Sequence, residues 1–292
     1  MLGRTPFPPP AVEPSKPLAR RTGLAMFTLW RTKGGGMSSG DRLLKILWLF
    51  SAEKPVFTAE EIAKTLRISL STAYRYLGQL AEVGLATSTG STGYALGPAI
   101  IELDHQIRLA DPLVQAATPI LRRLLSDAGA AATILLCRLY RNRVMCIAQA
   151  VGADAHERVS YERGRLMPIL RGAPSKAILA HLPSRAAERL WEEQHEEMGP
   201  AIDDWKAFRQ QLIEHRKAGA AVCFGEVDPG MVGVAAPVFD PQGRPIGSLC
   251  TVLPQHAAPA PTIARVTTLT RASADEIAAV LVEREMVRGA GF

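Results

Sequence analysis

Residues 58–85, TAEEIAKTLRISLSTAYRYLGQLAEVGL, constrain the fold more than any other segment of the chain. Thr58 and Glu61 form a T-x-x-E capping box ahead of apolar residues, which predicts that a helix begins there. Ser69 is a suitable N-cap for a second helix, and Gly84 is a suitable residue to end it. The segment therefore predicts two short helices joined by a tight turn at Arg67-Ile68.

The second predicted helix has an apolar face and a polar face. Ala73, Leu77 and Leu80 recur at spacings of four and three, so they share one buried side. The opposite side is polar but nearly uncharged, as suits a helix that enters the major groove of DNA. The residues of this helix that we predict to contact DNA are Ser69, Ser71, Thr72, Tyr74, Arg75 and Gln79.

The flanking segments complete a small domain. Residues 41–50 predict a further helix with Leu43, Leu44, Leu47 and Trp48 on one face. Residues 86–96, ATSTGSTGYAL, alternate in polarity and contain two glycines, which indicates a β-hairpin. Three helices and a hairpin make a winged helix-turn-helix, in which Tyr94 of the wing is a further predicted DNA contact.

The distribution of charge limits how the chain can bind nucleic acid. The formal net charge is +6, yet residues 1–36 hold six basic residues and one acidic residue, so the remainder is nearly neutral. A few placed cations and helix N-termini must therefore supply the affinity for phosphates. The sequence has no apolar run of about eighteen residues, so we expect no membrane span and a cytoplasmic, nucleoid-associated protein.

Two interpretations remain open for the first 36 residues. They are rich in proline and glycine without a sustained period, which indicates a disordered extension. Alternatively the start is mis-assigned and translation begins at Met37, because Lys33-Gly34-Gly35 fits purine-rich codons upstream of a bacterial start. Mass spectrometry of the native N-terminus would distinguish the two.

The rest of the chain mixes helix and strand patterns without regular βαβ alternation. Helical patterns cover residues 97–110 and 112–127, and β-branched apolar runs at 133–140 and 144–151 predict a hairpin. The further predicted elements are helices over 175–182, 184–197 and 203–218, strands over 220–224, 232–239 and 245–253, and a last helix over 261–286. We therefore predict an α+β domain with a largely antiparallel sheet.

The four cysteines are Cys137, Cys146, Cys223 and Cys250. They show no C-x-x-C spacing and no histidine at ligand spacing, so we predict no metal site and no cofactor. Cys137 and Cys146 are placed to face each other across the predicted hairpin, and a thiol-based redox regulator stays open as an alternative function.

Catalysis is a third class of function. The candidate nucleophiles Ser175, Cys223 and Cys250 have no base partner visible in the sequence. Ser175 and Lys176 are adjacent and so lack the Ser-x-x-Lys spacing of some hydrolases. We assign no catalytic residue and predict that the chain is not an enzyme.

Three segments of the chain resemble the IclR-type family of bacterial transcription regulators, and the resemblance spans nearly all of residues 37–290. The segments are STAYRYLGQLAEVGL, LRGAPSKAILAHLP and GAAVCFGEVDPGMVGVAAPVFDPQGRPIGSL. The third carries the family's signature of a glycine, a glutamate seven residues on and a small-apolar run ending at Phe239-Asp240. Cys223 departs from the usual Asp or Ser, and Gly233 departs from the usual Cys, Ser or Ala.

The resemblance implies a winged-helix domain over residues 37–97, a linker helix over 98–112 and a GAF-like effector-binding domain over 113–290. It also implies homodimers, often paired into homotetramers, that bind operator DNA near metabolic genes, in particular catabolic ones. Such regulators act as repressors or activators under the control of a small carboxylate or aromatic metabolite.

The resemblance further implies an effector pocket between a loop and the facing strands. The residues carried over are Leu170, Arg171, Gly172, Ala173, Pro174, Ser175, Cys223, Gly233, Cys250 and Val252. Cys250 and Val252 replace usual hydroxyl residues, so we expect an aromatic or otherwise apolar organic acid. Its carboxylate is expected on Arg171 or on the backbone N–H groups of 172–175, unless Arg171 is a solvent-facing loop residue. Glu226 is expected to orient pocket groups or to pair with a nearby arginine and hold the sheet.

Overall fold

The computed structural model describes residues 38–90, 93–156, 159–198 and 204–289, which divide into two compact units. The N-terminal unit ends at Ala110 and the C-terminal unit starts at Asp111. The expectations for residues 1–36 and for a start at Met37 lie outside the described residues. Within the described ranges, no helix combines the length and apolar character that crossing a membrane requires.

The described residues of the N-terminal unit form three helices, a small sheet and a further helix. Its elements are α1 (Ser39–Leu47), β1 (Phe57–Thr58), α2 (Ala59–Leu66), α3 (Leu70–Glu82), β2 (Ala86–Ser88), β3 (Gly93–Leu96) and α4 (Ala99–Ala110). The predicted hairpin is confirmed as β2 and β3, and the short strand β1 adds to it in the order β1-β3-β2. Helix α4, predicted as a linker, groups with the N-terminal unit.

The local signals of the helix-turn-helix segment are confirmed. Thr58 Oγ1 accepts from the Glu61 N–H at 3.3 Å, and the Thr58 N–H donates to the Glu61 carboxylate at 3.0 Å. Arg67 ends α2 in the left-handed region with φ of 55°, which turns the chain toward the N-cap Ser69. Gly84 follows α3 with φ of 71°, a conformation that glycine adopts without steric cost.

The predicted buried face of α1 is wrong in part. Leu44 is 43% exposed, whereas Ile46 is fully buried and Leu43 and Leu47 pack against the same core. Leu43, Ile46 and Leu47 have the i, i+3, i+4 spacing of one helix face, and Leu44 falls outside it. The helix ends at Leu47, so helical periodicity no longer places the residues that follow.

The C-terminal unit is a six-stranded antiparallel sheet with helices on both faces. Its strands are β4 (Thr133–Tyr140), β5 (Arg143–Val151), β6 (Leu166–Pro168), β7 (Ala221–Phe224), β8 (Met231–Phe239) and β9 (Pro245–Pro254), in the order β6-β5-β4-β9-β8-β7. Its helices are α5 (Pro112–Ala128), α6 (Ala173–Leu179), α7 (Ser184–Gln194), α8 (Trp205–Ala218) and α9 (Ala260–Gly289). The predicted α+β class with an antiparallel sheet is confirmed.

Alternation along the strands divides the core into two layers. Leu135 and Cys137 of β4 face the layer that contains α6, α7 and α8, whereas Ile134 and Leu136 face the layer that contains α5 and α9. This period of two is expected of a strand buried on both sides. The cavity described below lies on the α6 side.

Two details differ from the sequence-based expectations. Helix α6 begins at Ala173 and ends at Leu179, whereas the sequence predicted residues 175–182. The earlier start is possible because Pro174 fits the first turn of a helix, where no backbone N–H donor is needed. Strand β6 was not predicted, since three residues show no period. The β4–β5 hairpin is confirmed, and its turn residues Arg141 and Asn142 have φ of 49° and 58°, as a two-residue turn requires.

Candidate functional site

The outward face of α3 is the candidate DNA-contact surface. Ala73, Tyr76, Leu77 and Leu80 are buried against the N-terminal core, which confirms the predicted apolar face and adds Tyr76 to it. Of the residues predicted to contact DNA, five are exposed and two are half-buried. The exposed ones are Ser69, Ser71, Tyr74, Arg75 and Gln79, and the half-buried ones are Thr72 and Tyr94.

Some of these side chains also hold the fold. Ser69 Oγ accepts from the Thr72 N–H at 3.2 Å and caps α3. The Tyr74 hydroxyl donates to Glu60 of α2 at 3.3 Å, while 46% of Tyr74 stays exposed. Tyr94 packs against the N-terminal core. Ser71, Arg75 and Gln79 remain as exposed polar side chains that point away from the core of this unit.

The second candidate site is a cavity between α6 and the edge of the C-terminal sheet. It has about 350 Å³ of empty space, including open solvent at its mouth. Its lining residues are Val159, Tyr161, Gly172, Ala173, Pro174, Cys223, Gly225, Glu226, Val227, Asp228, Met231, Gly233, Cys250 and Val252.

Most of the residues predicted to line a pocket do border this cavity. Gly172, Ala173, Pro174, Cys223, Gly233, Cys250 and Val252 come together from α6 and from strands β7, β8 and β9. Leu170, Arg171 and Ser175 are not among its lining residues, and Leu170 and Ser175 are fully buried elsewhere in the core. Their helix and loop positions point them away from the space that the neighbouring residues enclose.

Two glycines shape the cavity. Gly172 has φ of 84°, and a Cβ there would lie 2.9 Å from Val227 Cγ2, so only glycine fits without rearrangement. A Cβ on Gly233 would lie 3.2 Å from Ala173 Cβ and 3.8 Å from Cys250 Sγ. Because Gly233 has no side chain, the space between Ala173 and Cys250 stays free.

A partly buried ion pair borders the cavity. Lys176 Nζ of α6 lies 2.6 Å from Glu226 Oε1, and the Gly172 N–H donates to Glu226 Oε2 at 3.0 Å. Burial opposes the charge of Glu226, but Lys176 and the Gly172 N–H outweigh burial and hold the pKa of Glu226 below its ordinary value. Burial likewise opposes the charge of Lys176, but Glu226 outweighs burial and raises the pKa of Lys176.

The expected partner of Glu226 is corrected by these contacts. Of the two expected roles of Glu226, pairing with an arginine is not found, because the carboxylate pairs with Lys176 instead. The Arg171 guanidinium donates to the backbone carbonyl of Glu226 rather than to its carboxylate. Arg171 is therefore neither a lining residue of the cavity nor a loop arginine without contacts.

His215 of α8 lies close to this ion pair. It is 9% exposed, and its Nδ1 atom has no hydrogen-bond partner among the described residues. Burial and the charge of Lys176 lower its pKa from 6.5 to about 4. The ring is therefore neutral at physiological pH.

The cysteines and Ser175 lie in poor positions for nucleophilic chemistry. Cys137 and Cys146 are register partners across the β4–β5 hairpin, as expected, and both are fully buried. Burial raises the pKa of the Cys137, Cys223 and Cys250 thiols, so the reactive thiolate is disfavoured. Ser175 Oγ donates to the Pro168 carbonyl at 2.8 Å, which occupies its proton.

Comparison with known proteins identifies the family. The model of the C-terminal domain of bacterial IclR transcriptional regulators matches residues 109–279, and a helix-turn-helix model matches residues 42–95. The chain belongs to the IclR family of bacterial transcriptional regulators. The regulator BhcR of Paracoccus denitrificans is 31% identical over 215 residues, which cover 72% of this chain and 75% of that protein.

Solved structures share the architecture of this IclR-family chain. An IclR regulator from Alicyclobacillus acidocaldarius superimposes with a TM-score of 0.72 at 25% identity, covering 85% of this chain and 100% of that one. An IclR homologue from Microbacterium hydrocarbonoxydans, solved with 4-hydroxybenzoate, gives a TM-score of 0.70 at 24% identity, covering 84% and 99% of the two chains. The α+β architecture of the C-terminal domain, with its antiparallel sheet, is shared with these structures.

Sequence reasoning missed several residues that line the cavity of this IclR-family regulator. Val159 and Tyr161 lie in a loop with no periodic signal, Val227 and Asp228 lie in the turn between β7 and β8, and Met231 begins β8. The motif GEVDPG was the available signal, because a glycine-rich turn between two buried strands commonly borders a site. Nothing in the sequence pointed to residues 159 and 161.

Proposed function

We propose that this IclR-family regulator binds an operator beside a metabolic operon, in the first place a catabolic one, under the control of a small organic acid. The exposed polar face of α3 in a helix-turn-helix unit is the observation that carries the DNA-binding part. The proposed protein is a cytoplasmic, nucleoid-associated homodimer or homotetramer without catalytic activity. Its curated relatives are named transcriptional regulators, which supports this class.

On DNA, two copies of α3 enter successive major grooves of a near-palindromic site. Arg75 and Gln79 read base edges, since arginine and glutamine pair bidentately with guanine and adenine. Ser69, Ser71, Thr72 and Tyr74 contact phosphates or base edges. Tyr94 and the wing contact the backbone or the minor groove.

The effector occupies the cavity beside α6, and aromatic acids are the first class to test. The apolar and thiol side chains of Cys223, Cys250 and Val252 suit a ring. The Microbacterium homologue, which was solved with 4-hydroxybenzoate, supports this class.

Effector binding changes operator affinity through a shift between two arrangements of the oligomer. A ligand moves such an equilibrium only by its difference in affinity for the two states. In the proposed regulator, the segment 170–176 changes its position against the sheet when the cavity is filled. The direction of the effect sets whether the effector induces or represses.

A genomic pull-down tests the DNA-binding proposal. Purified full-length protein is mixed with sheared genomic DNA, and the retained fragments are sequenced with and without added cell metabolites. We expect one or a few short palindromic sites beside a catabolic gene cluster, with retention altered by the metabolites. Retention of random fragments under both conditions would reject sequence-specific regulation.

The facing pair Cys137 and Cys146 favours a second candidate, a regulator that responds to oxidation. Complete burial and the raised pKa of Cys137 oppose it. Operator binding measured before and after treatment with peroxide, with Cys146→Ser as the control, decides between the two. Unchanged binding after oxidation would dismiss this candidate.

A further inference from the structure

Gly78 lies in the interior of α3, a helix of thirteen residues. Glycine at such a position makes a helix less stable than alanine does, because the backbone of glycine loses more conformational freedom on folding. A glycine is expected where a side chain would prevent a required backbone conformation or a close approach of another molecule. The question is therefore which of these two reasons applies to Gly78.

Nothing within the described N-terminal unit requires the absence of a side chain at Gly78. Its backbone is α-helical, a conformation open to every residue, and a Cβ there would meet no other part of the protein within 4 Å. Of the other glycines whose surroundings the structure describes, all but Gly40 have positive φ or would place a Cβ within 3.2 Å of another atom. Gly40 stands in the first turn of α1, outside the helix interior. The reason for Gly78 therefore points outside the chain.

Gly78 occupies the centre of the outward face of α3. Ser71, Arg75, Gly78 and Glu82 follow one another at spacings of four, three and four, so they share one side of the helix. All four are exposed, and the four buried residues of α3 lie on the other side. The missing side chain leaves a recess beside Arg75, on the surface that we propose to contact DNA.

The major groove of DNA is the occupant that suits this recess. The helix-turn-helix model matches residues 42–95 and so includes α3. An α-helix with its side chains is about 10–12 Å across, and the major groove is about 12 Å wide, so the helix enters with little clearance. A side chain at the centre of the inserted face would hold the helix axis away from the base edges and shorten the reach of Arg75.

We propose that Gly78 is the point at which α3 approaches the base edges of the operator most closely, and that its missing side chain sets how deeply the helix enters the groove. This inference rests on the proposed operator binding by α3 and adds a residue that determines its specificity. Gly78 is a positioning residue, because it makes no polar contact and instead lets Arg75 and Gln79 reach the bases. One added methyl group should therefore change stability and operator affinity in opposite directions.

Gly78→Ala in the full-length protein tests this opposition. The melting temperature of the N-terminal unit should rise by about 2–8 °C, because alanine is the better helix residue. Binding to operator fragments from the pull-down, followed by fluorescence anisotropy, should weaken about tenfold or more, the effect of losing one bidentate base contact. Binding to random DNA of the same length should stay within about twofold of the wild type, since it depends on phosphate contacts.

Two further variants make the result specific to position 78. Gly78→Leu should keep the fold, because leucine is also a good helix former, and should weaken operator binding more than Gly78→Ala does. Gly40→Ala is the matched control, because its Cβ would lie at an ordinary distance of 3.8 Å from Ser38 Oγ. The neighbouring Ser39 Oγ lies 3.1 Å from the Tyr76 hydroxyl, on the buried side of α3, so Gly40→Ala should leave operator affinity unchanged.

The outcomes separate this inference from the proposed function. Wild-type binding to the operator with equal affinity in both Gly78 variants would reject the role of Gly78 and keep the proposed function. Equal losses on operator and random DNA, or an equal loss in Gly40→Ala, would also reject it. A change of oligomeric state in Gly78→Ala, measured by light scattering, would assign the recess to a second copy of the chain instead. Retention of no specific fragment by the wild type would reject the proposed function and this inference together.

Discussion

Helices α3 and α6 each bear a candidate site, but they are built in opposite ways. Of the thirteen residues of α3, four are buried, and the polar residues of its outer face project from the domain. All seven residues of α6 are buried, including Ser175 and Lys176. The two polar side chains of α6, those of Ser175 and Lys176, find their partners within the protein, through Pro168, Tyr161 and Glu226.

Because of this difference, binding and stability depend on different side chains in α3 but on the same side chains in α6. An exposed side chain on α3 can change without loss of a buried contact, so its substitution should affect binding alone. A polar side chain of α6 cannot be replaced by an apolar one without leaving its buried partner unsatisfied, which lowers the free energy of unfolding. Effector specificity in this protein is therefore constrained by folding, and operator specificity is much less so.

The largest expected effect is on Lys176. Lys176→Met leaves the Glu226 carboxylate without its cation, and the free energy of unfolding should fall by at most about 3–5 kcal/mol, the cost for a fully buried pair, because 29% of the Glu226 side chain is exposed. Denaturant unfolding followed by circular dichroism measures it, with Arg189→Met in the exposed pair with Glu193 as the control. The double variant Lys176→Met/Glu226→Gln should lose less than the sum of the two single variants. Equal loss in Lys176→Met and Arg189→Met would contradict the joint role of α6.

A smaller effect should appear with pH through His215. Its pKa in the folded protein is about 4, against 6.5 ordinarily, so between these values the unfolded chain binds the proton and the folded chain does not. The contribution of His215 to stability is therefore complete above about pH 6.5 and is lost as pH falls toward 4. It amounts to at most about 3 kcal/mol.

Unfolding free energies of the wild type and His215→Gln at pH 7.5 and pH 5 test this dependence. The wild type should lose more stability on acidification than His215→Gln does. His256→Gln, at an exposed position, serves as the matched control and should follow the wild type. Identical pH slopes for all three proteins would show that His215 is not kept neutral by burial.

On α3 the expected effect is on binding without loss of stability. Arg75→Ala should weaken binding to the operator by about 1–3 kcal/mol if Arg75 pairs bidentately with a base, while the melting temperature stays unchanged. Lys64→Ala on α2 is the control for a general cationic contribution, and it should weaken binding equally on operator and random DNA. An equal loss on both DNAs for Arg75→Ala would make Arg75 a phosphate contact.

The smallest expected effect concerns Ser69, the residue before α3, which is a predicted DNA contact and also stabilises the helix. Ser69 caps α3, so Ser69→Ala should lower the free energy of unfolding by about 1 kcal/mol. Ser71→Ala removes a neighbouring exposed hydroxyl and should leave stability within about 0.5 kcal/mol of the wild type. Thermal and denaturant unfolding of both variants measure the difference. Comparable losses would mean that the outer face of α3 contributes to the fold after all.

Prediction from sequence succeeded where the signals are local. The capping box at Thr58, the cap at Ser69 and the apolar spacing of α3 act within one or two helical turns, and all three appear in the structure. The face of α1 was misjudged at Leu44, because the buried face follows the i, i+3, i+4 spacing of Leu43, Ile46 and Leu47 and Leu44 falls outside it. Strand β6 is too short to show a pattern of its own.

The candidate cavity was predictable only in part. The family resemblance brought Gly172, Cys223 and Gly233 together, since these positions follow a shared motif. The partner of Glu226 was not predictable, because Lys176 lies fifty residues earlier in the chain and meets Glu226 only when α6 packs against β7 and β8. Tyr161 was not predictable either, because it reaches the cavity wall from a loop only when the whole domain is packed.

The sequence by itself therefore determined the helix-turn-helix, the α+β class, the antiparallel strands and the family, because each depends on periodicity, turn chemistry or motif spacing. Only the tertiary structure decided which polar groups at the cavity form hydrogen bonds within the protein and which remain available to a ligand. The sequence predicts Arg171 as a candidate partner of a ligand carboxylate. In the structure its guanidinium donates to the backbone carbonyl of Glu226. Hydrogen-bond partners are chosen among all groups that packing brings within about 3 Å, and that choice is made across the whole domain rather than along the chain.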